Sequence, residues 1–123
     1  MTKEEYLDWL TGKKPEYSDK FRELDASERD KLCQEIEKDL SFNNVIPSLD
    51  SNILNKLLDE IENITLARAL KLATEETKKI IFSNLSNKKL LEIEELYDYI
   101  GPQIFSEIIN NQEYILKRIN ENK

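Results

Sequence analysis

Apolar positions recur at helical spacing through residues 49–102. Leu54, Leu57, Leu58 and Ile61 follow an i, i+3, i+4, i+7 pattern, which places all four on one stripe of a 3.6-residue helix. Leu66, Ala69 and Leu70, then Ile80, Ile81 and Leu85, then Leu90, Ile93, Tyr97 and Ile100 carry the same period through three further segments. An apolar stripe leaves water only by meeting another apolar surface, so the four segments are expected to stack as helix on helix. Function then falls to the polar faces left outside.

Capping signals divide the chain. Thr2 and Glu5 fit a capping box that opens a short helix with Tyr6, Leu7 and Leu10 facing inward and Gly12 at its end. Trp9 lies off that stripe, where it serves either as a docking anchor or as packing on the connector of residues 13–17. Ser18 is expected to cap a short piece carrying Phe21 and Leu24, and Asp25 with Glu28 repeats the capping box before a longer helix whose apolar face holds Leu32, Cys33, Ile36 and Leu40. The run SFNNVIPS, residues 41–48, breaks the rhythm with Asn43, Asn44 and Pro47 and reads as a loop or extended connector. Asp50, Thr65, Thr74 and Ser86 are candidate N-caps for the four central helices, and Gly101-Pro102 is a stop. A last helix is expected to run to about Asn120 with Ile104, Phe105, Ile108, Ile109, Ile115, Leu116 and Ile119 on one broad face.

Composition supports an all-α reading. Charged residues make up 35% and apolar residues 39% of 123 positions, with two glycines and three prolines, too few for the turns of a sandwich or barrel. That length suits one domain with its own core. The net charge of −7 repels phosphate backbones and anionic headgroups, which argues against nucleic-acid binding. Nowhere do 18 apolar residues run together, so no membrane insertion is expected. A single cysteine, Cys33, and the lack of a secretory leader point to a reducing cytoplasm, and the sequons at Asn63 and Asn84 are read as chance.

The absence of histidine removes the commonest general base, the Ser/His and Cys/His nucleophile pairs and the usual transition-metal ligand. The acidic group Glu92, Glu94, Glu95 and Asp98 falls largely opposite Leu90, Ile93 and Tyr97, as a solvated helix face does. Asp50-Ser51-Asn52 lacks the glycine and distant glutamate of an EF-hand loop. Cys33 sits on an apolar stripe, where a small buried hydrophobe is expected and not a nucleophile. No catalytic, cofactor or metal site is expected.

The helix lengths and caps resemble the C-terminal domain of the bacterial flagellar motor switch protein FliG. The likeness is carried by Lys56-Leu57-Leu58-Asp59-Glu60-Ile61, similar to the family's basic-Leu-Leu-x-Glu-Val; by Leu66-Ala67-Arg68-Ala69-Leu70-Lys71, similar to Leu-x-x-Ala-Leu-Lys; and by Ser83-Asn84-Leu85-Ser86-Asn87-Lys88, similar to Arg-Asn-Met-Ser-x-Arg. Gly101-Pro102, Ser106, Gln112 and Ile115 fall at the family spacing, and the alignable stretch runs from Ile36 to about Asn120. The resemblance implies a right-handed superhelical, armadillo-like domain of about seven helices. It divides the chain into an N-terminal helical segment at 1–40, a connector at 41–48 and the C-terminal-like domain at 49–123. The family's hinge Met-Phe-x-Phe is here Leu40-Ser41-Phe42-Asn43, a departure.

By the same resemblance, the helix that follows Asp50 is the one that presents charges to the stator. Asp50 matches the first acid of the family's pair, Ser51 stands at the second, and Asp59 stands where the family has a basic residue. The upstream basic positions fall on Asn43 and Ala26. The implied partners are FliM, the rotor ring and the stator MotA, at the cytoplasmic face of the inner membrane in the flagellar basal body, and an oligomer is compatible with this. Two functions are therefore expected: a non-enzymatic rotor or switch protein acting in torque generation or switching, or a stand-alone FliG-like adaptor that has lost the stator charges.

Overall fold

The amide of Glu5 donates to Thr2 Oγ1 at 3.1 Å while the Thr2 amide donates back to Glu5 Oε1 at 3.0 Å, closing a complete capping box. It opens α1 (Lys3–Leu10). Asp25 and Glu28 repeat the arrangement at the start of α3 (Ala26–Asp39). Between them lie a 3₁₀ turn at Pro15–Tyr17 and α2 (Ser18–Arg22). The computed structural model describes residues 1–121 and divides after Leu40 into two compact units.

The first unit buries Tyr6, Leu24, Leu32 and Ile36. Trp9 is packing: its ring stacks on Phe21 at 4.1 Å and on Tyr6 at 6.0 Å, and its Nε1 donates to Ser18 Oγ at 3.0 Å. Ser18 is spent on that bond and on donating to the Pro15 carbonyl, so it begins α2 without capping it. Leu7, expected inward, is 39% exposed, because the stacked aromatics Tyr6, Trp9 and Phe21 already fill the inner side of α1.

The second unit contains α4 (Ser41–Val45), a 3₁₀ turn at Ile46–Ser48, α5 (Ser51–Glu60), α6 (Asn63–Ala69), a 3₁₀ turn at Leu70–Leu72, α7 (Glu75–Ser83), α8 (Asn87–Ile100) and α9 (Phe105–Glu121). The fold is all-α, with nine α-helices and no strand among the described residues. The excess over about seven comes from the five-residue pieces α2 and α4. Residues 41–48 are therefore helical and not a loop. Phe42 and Ile46, one turn apart, are both essentially fully buried, and that burial outweighs the poor helix propensity of the two asparagines.

The four central stripes close on one another. Leu54, Leu57, Leu58, Ile61, Leu66, Leu70, Ile81 and Ile93 share one core with Phe42, Ile46, Ile115 and Ile119, and α6 lies against both α8 and α9. Asp50, Thr74 and Ser86 cap as expected, accepting from the amides of Asn52, Thr77 and Lys89. Thr65 does not: α6 starts three residues earlier than that cap implies, with Glu62 at the N-cap, and Leu66, Ala67, Ala69 and Leu70 all reach the core. Ile104 is 66% exposed and lies just outside α9. Gly101, at φ +61, ends α8 in a conformation that side chains rarely adopt.

Candidate functional site

α5 is amphipathic in the strict sense. Leu54, Leu57 and Leu58 are buried while Ser51, Asn52, Asn55, Lys56, Asp59 and Glu60 are exposed. Ser51, Asn55 and Asp59 follow one another at i+4, so they form a single row, with Ser51 and Asp59 about 12 Å apart along the axis. Asp50 precedes the row as N-cap, its Oδ1 accepting from the Asn52 amide at 2.8 Å. The three candidate contact residues Asp50, Ser51 and Asp59 therefore share one solvent-facing surface. Lys56 is the one cation that α5 itself supplies, against Asp50, Asp59 and Glu60. Glu60 is engaged by Arg118 of α9 at 3.0 Å.

The two upstream positions are not equivalent to these. Ala26 is exposed at the start of α3, but Asn43 is buried. Its Nδ2 donates to the Leu72 carbonyl at 3.0 Å and its Oδ1 accepts from the Thr74 amide at 2.9 Å. A side chain held on both sides in this way cannot face a partner. Asn43 instead ties α4 to the turn before α7.

Other polar groups, to which the sequence assigned no internal contact, also satisfy backbone. Lys89 Nζ donates to the Ile61 carbonyl at the end of α5, Gln112 Nε2 donates to the Ala69 carbonyl, and Lys71 Nζ donates to the Tyr97 carbonyl while lying 3.6 Å from that ring's centroid. Desolvation holds the Lys71 amine below its ordinary range. An open cleft of about 320 Å³ lies beside it between Leu70, Phe82, Ile93 and Tyr97. Lys78, Glu94 and Asp98 also line it, so a cation and two carboxylates share its polar side.

Glu92, Glu94, Glu95 and Asp98 are all exposed, and no group of three or more metal-binding side chains occurs among the described residues. Cys33 is half-buried and not fully enclosed as expected, because its Sγ turns toward Glu37 Oε1, 3.7 Å away. Burial first, and the Glu37 carboxylate second, push the thiol up to about 11. At pH 8 the thiolate population is then lower by roughly 100-fold than for an ordinary cysteine. Reaction of the folded chain with a disulfide reagent at pH 8 is expected to be slower than that of the urea-unfolded chain by a similar factor.

Leu91 and Tyr99 went unnoticed in the sequence. They are 60% and 87% exposed on the acidic side of α8. Their spacing of eight residues, two helical turns on a row otherwise polar, is the signal that marks them.

A family model described as the FliG C-terminal domain matches residues 22–123, beginning upstream of Ile36. The flagellar motor switch protein FliG of Bacillus subtilis is 29% identical over 85 residues, covering 69% of this chain and 25% of that protein. The protein of the same name from Thermotoga maritima is 29% identical over 94 residues, covering 76% of this chain and 28% of that protein. The chain thus spans about a quarter of the length of these curated relatives. No solved structure matches the chain at a significant level. No described helix is long and apolar enough to cross a membrane.

Proposed function

This chain belongs to the FliG C-terminal domain family, and from that premise we propose that it works by protein-protein contact in the flagellar motor switch, without catalysis. The observation that carries the reading is α5. The helix aligned with the family's stator-facing helix keeps its whole polar side, including Asp50, Ser51 and Asp59, free of the core. On this reading FliM and the rotor ring hold the domain and the stator MotA meets α5, in the cytoplasm at the membrane face of the basal body. Contact would come from several weak charge pairs acting together, each worth about 0 to 1 kcal/mol when exposed.

A second reading is favoured by Ser51 and Asp59. Where the family has an acid and a base, this chain has a neutral residue and an acid, which converts one local attraction for the usual partner into repulsion. A FliG-like adaptor that no longer generates torque fits that surface.

Deletion with complementation separates the two. The motor reading expects deletion to impair swimming, and Asp59→Arg to alter rotation speed or switching bias while folding stability stays within about 0.5 kcal/mol, since Asp59 is exposed. Intact swimming and flagellation after deletion would end that reading. An unchanged rotation with Asp59→Arg supports the adaptor.

A further inference from the structure

We propose that the outer face of α8, residues 91–99, docks a basic amphipathic helix of a partner protein. Leu91 and Tyr99 stand 60% and 87% exposed, about 12 Å apart along the axis. A shallow open groove on the Tyr99 side of this face is lined by Glu92, Glu95, Leu96 and Tyr99. Two exposed apolar anchors with half-buried Leu96 between them match the spacing at which one helix face meets another. Exposed tyrosine is also a residue type that carries binding energy in interface centres.

The charge defines the occupant. Glu92, Glu94, Glu95 and Asp98 make no salt bridge among the described residues, although Glu92 Oε2 accepts from Asn63 Nδ2 at 2.7 Å. Glu92 with Glu95, Glu95 with Asp98, and Glu94 with Asp98 are like-charge pairs at three or four residues, a spacing that weakens a helix. Asp98 also sits in the last turn, where the helix dipole favours a cation, and that turn holds no basic residue. Lys71 is within electrostatic reach of Asp98, and Lys78 lines one cleft with Glu94 and Asp98, so Glu92 and Glu95 are the carboxylates left for cations arriving from outside. Lys88, one turn before Glu92 on the same side, ends the acidic stretch. A nucleic acid or an anionic lipid surface would be repelled here. A second copy, carrying the same charge of −7, would bring more repulsion than relief.

The probe is a synthetic Leu/Trp/Lys amphipathic helix of about 18 residues, long enough to be helical when bound, with a control in which every Lys is Glu. Titrated into the full chain labelled for amide NMR, the Lys peptide is expected to shift signals of α8 and the start of α6. Tyr99→Ala and the pair Glu92→Gln with Glu95→Gln should each weaken binding about tenfold, the pair more so at low salt. Glu107→Gln with Glu113→Gln, an equal charge change on the exposed face of α9, should leave the affinity unchanged, and circular dichroism should show all variants folded. Equal binding of the Glu peptide, shifts spread over every acidic surface, or equal weakening by the α9 pair overturns the proposal. So does self-association in sedimentation that disappears with Tyr99→Ala, which would make a second copy the occupant.

Discussion

Leu66→Ala is expected to remove about 3 kcal/mol of folding stability, within the range of about 2 to 5 kcal/mol seen for large aliphatic side chains cut back in closed cores. Leu66 has no exposed surface and lies on α6, the helix placed against both α8 and α9. Helices on two sides leave little room for the site to collapse around the lost atoms, so both the transfer and the cavity contributions are felt. For a domain whose whole stability is about 5 to 15 kcal/mol, this is a large fraction. Urea unfolding followed by far-UV circular dichroism measures it, since Trp9 belongs to the first unit and its fluorescence reports there. Leu91→Ala, on the exposed side of α8, serves as the control and should change stability by less than about 0.5 kcal/mol. Similar effects for the two leucines would contradict the central place given to α6.

Asn43→Ala should be the most damaging polar truncation, at about 1 to 3 kcal/mol. It removes two hydrogen bonds at once and leaves the Leu72 carbonyl and the Thr74 amide without the side chain that serves them. The Thr74 amide is a direct reporter: its hydrogen exchange should accelerate in the variant, together with amides of α4, while those of α8 exchange as before. Asn43→Asp is the informative comparison. It keeps an acceptor for Thr74 but turns the Leu72 contact into oxygen facing oxygen, so it should restore part of the Thr74 protection without restoring stability. If Asn43→Ala leaves the Thr74 amide as protected as before, the two bonds do not hold α4 in place.

The position of Asn43 also bears on the function proposed for α5. The resemblance implies a basic contact residue at this position, yet the fold uses Asn43 as an internal tie. Exposed contact candidates are thereby confined, in the second unit, to Asp50, Ser51 and Asp59. A surface with so few complementary charges gives weak steering, which is why Asp59→Arg is informative.

What the sequence alone determined were the features settled within about one helical turn. The helical class, the four central stripes, the caps Thr2, Asp25, Asp50, Thr74 and Ser86 and the stop at Gly101 all depend on neighbours a few residues away. The exposed row on α5 was legible for the same reason, since burying Leu54, Leu57 and Leu58 turns the rest of that helix outward. Only the tertiary structure decided that residues 41–45 form a helix, that α6 starts after Glu62, that Leu7 and Ile104 stay outside, and that Asn43, Thr77 and Gln112 are inside. Asn43 meets Leu72 and Thr74 across 29 and 31 residues, and Gln112 meets Ala69 across 43. Partners that far apart leave no local period, and burial energy shared across the core overrides the propensity of the residues in between.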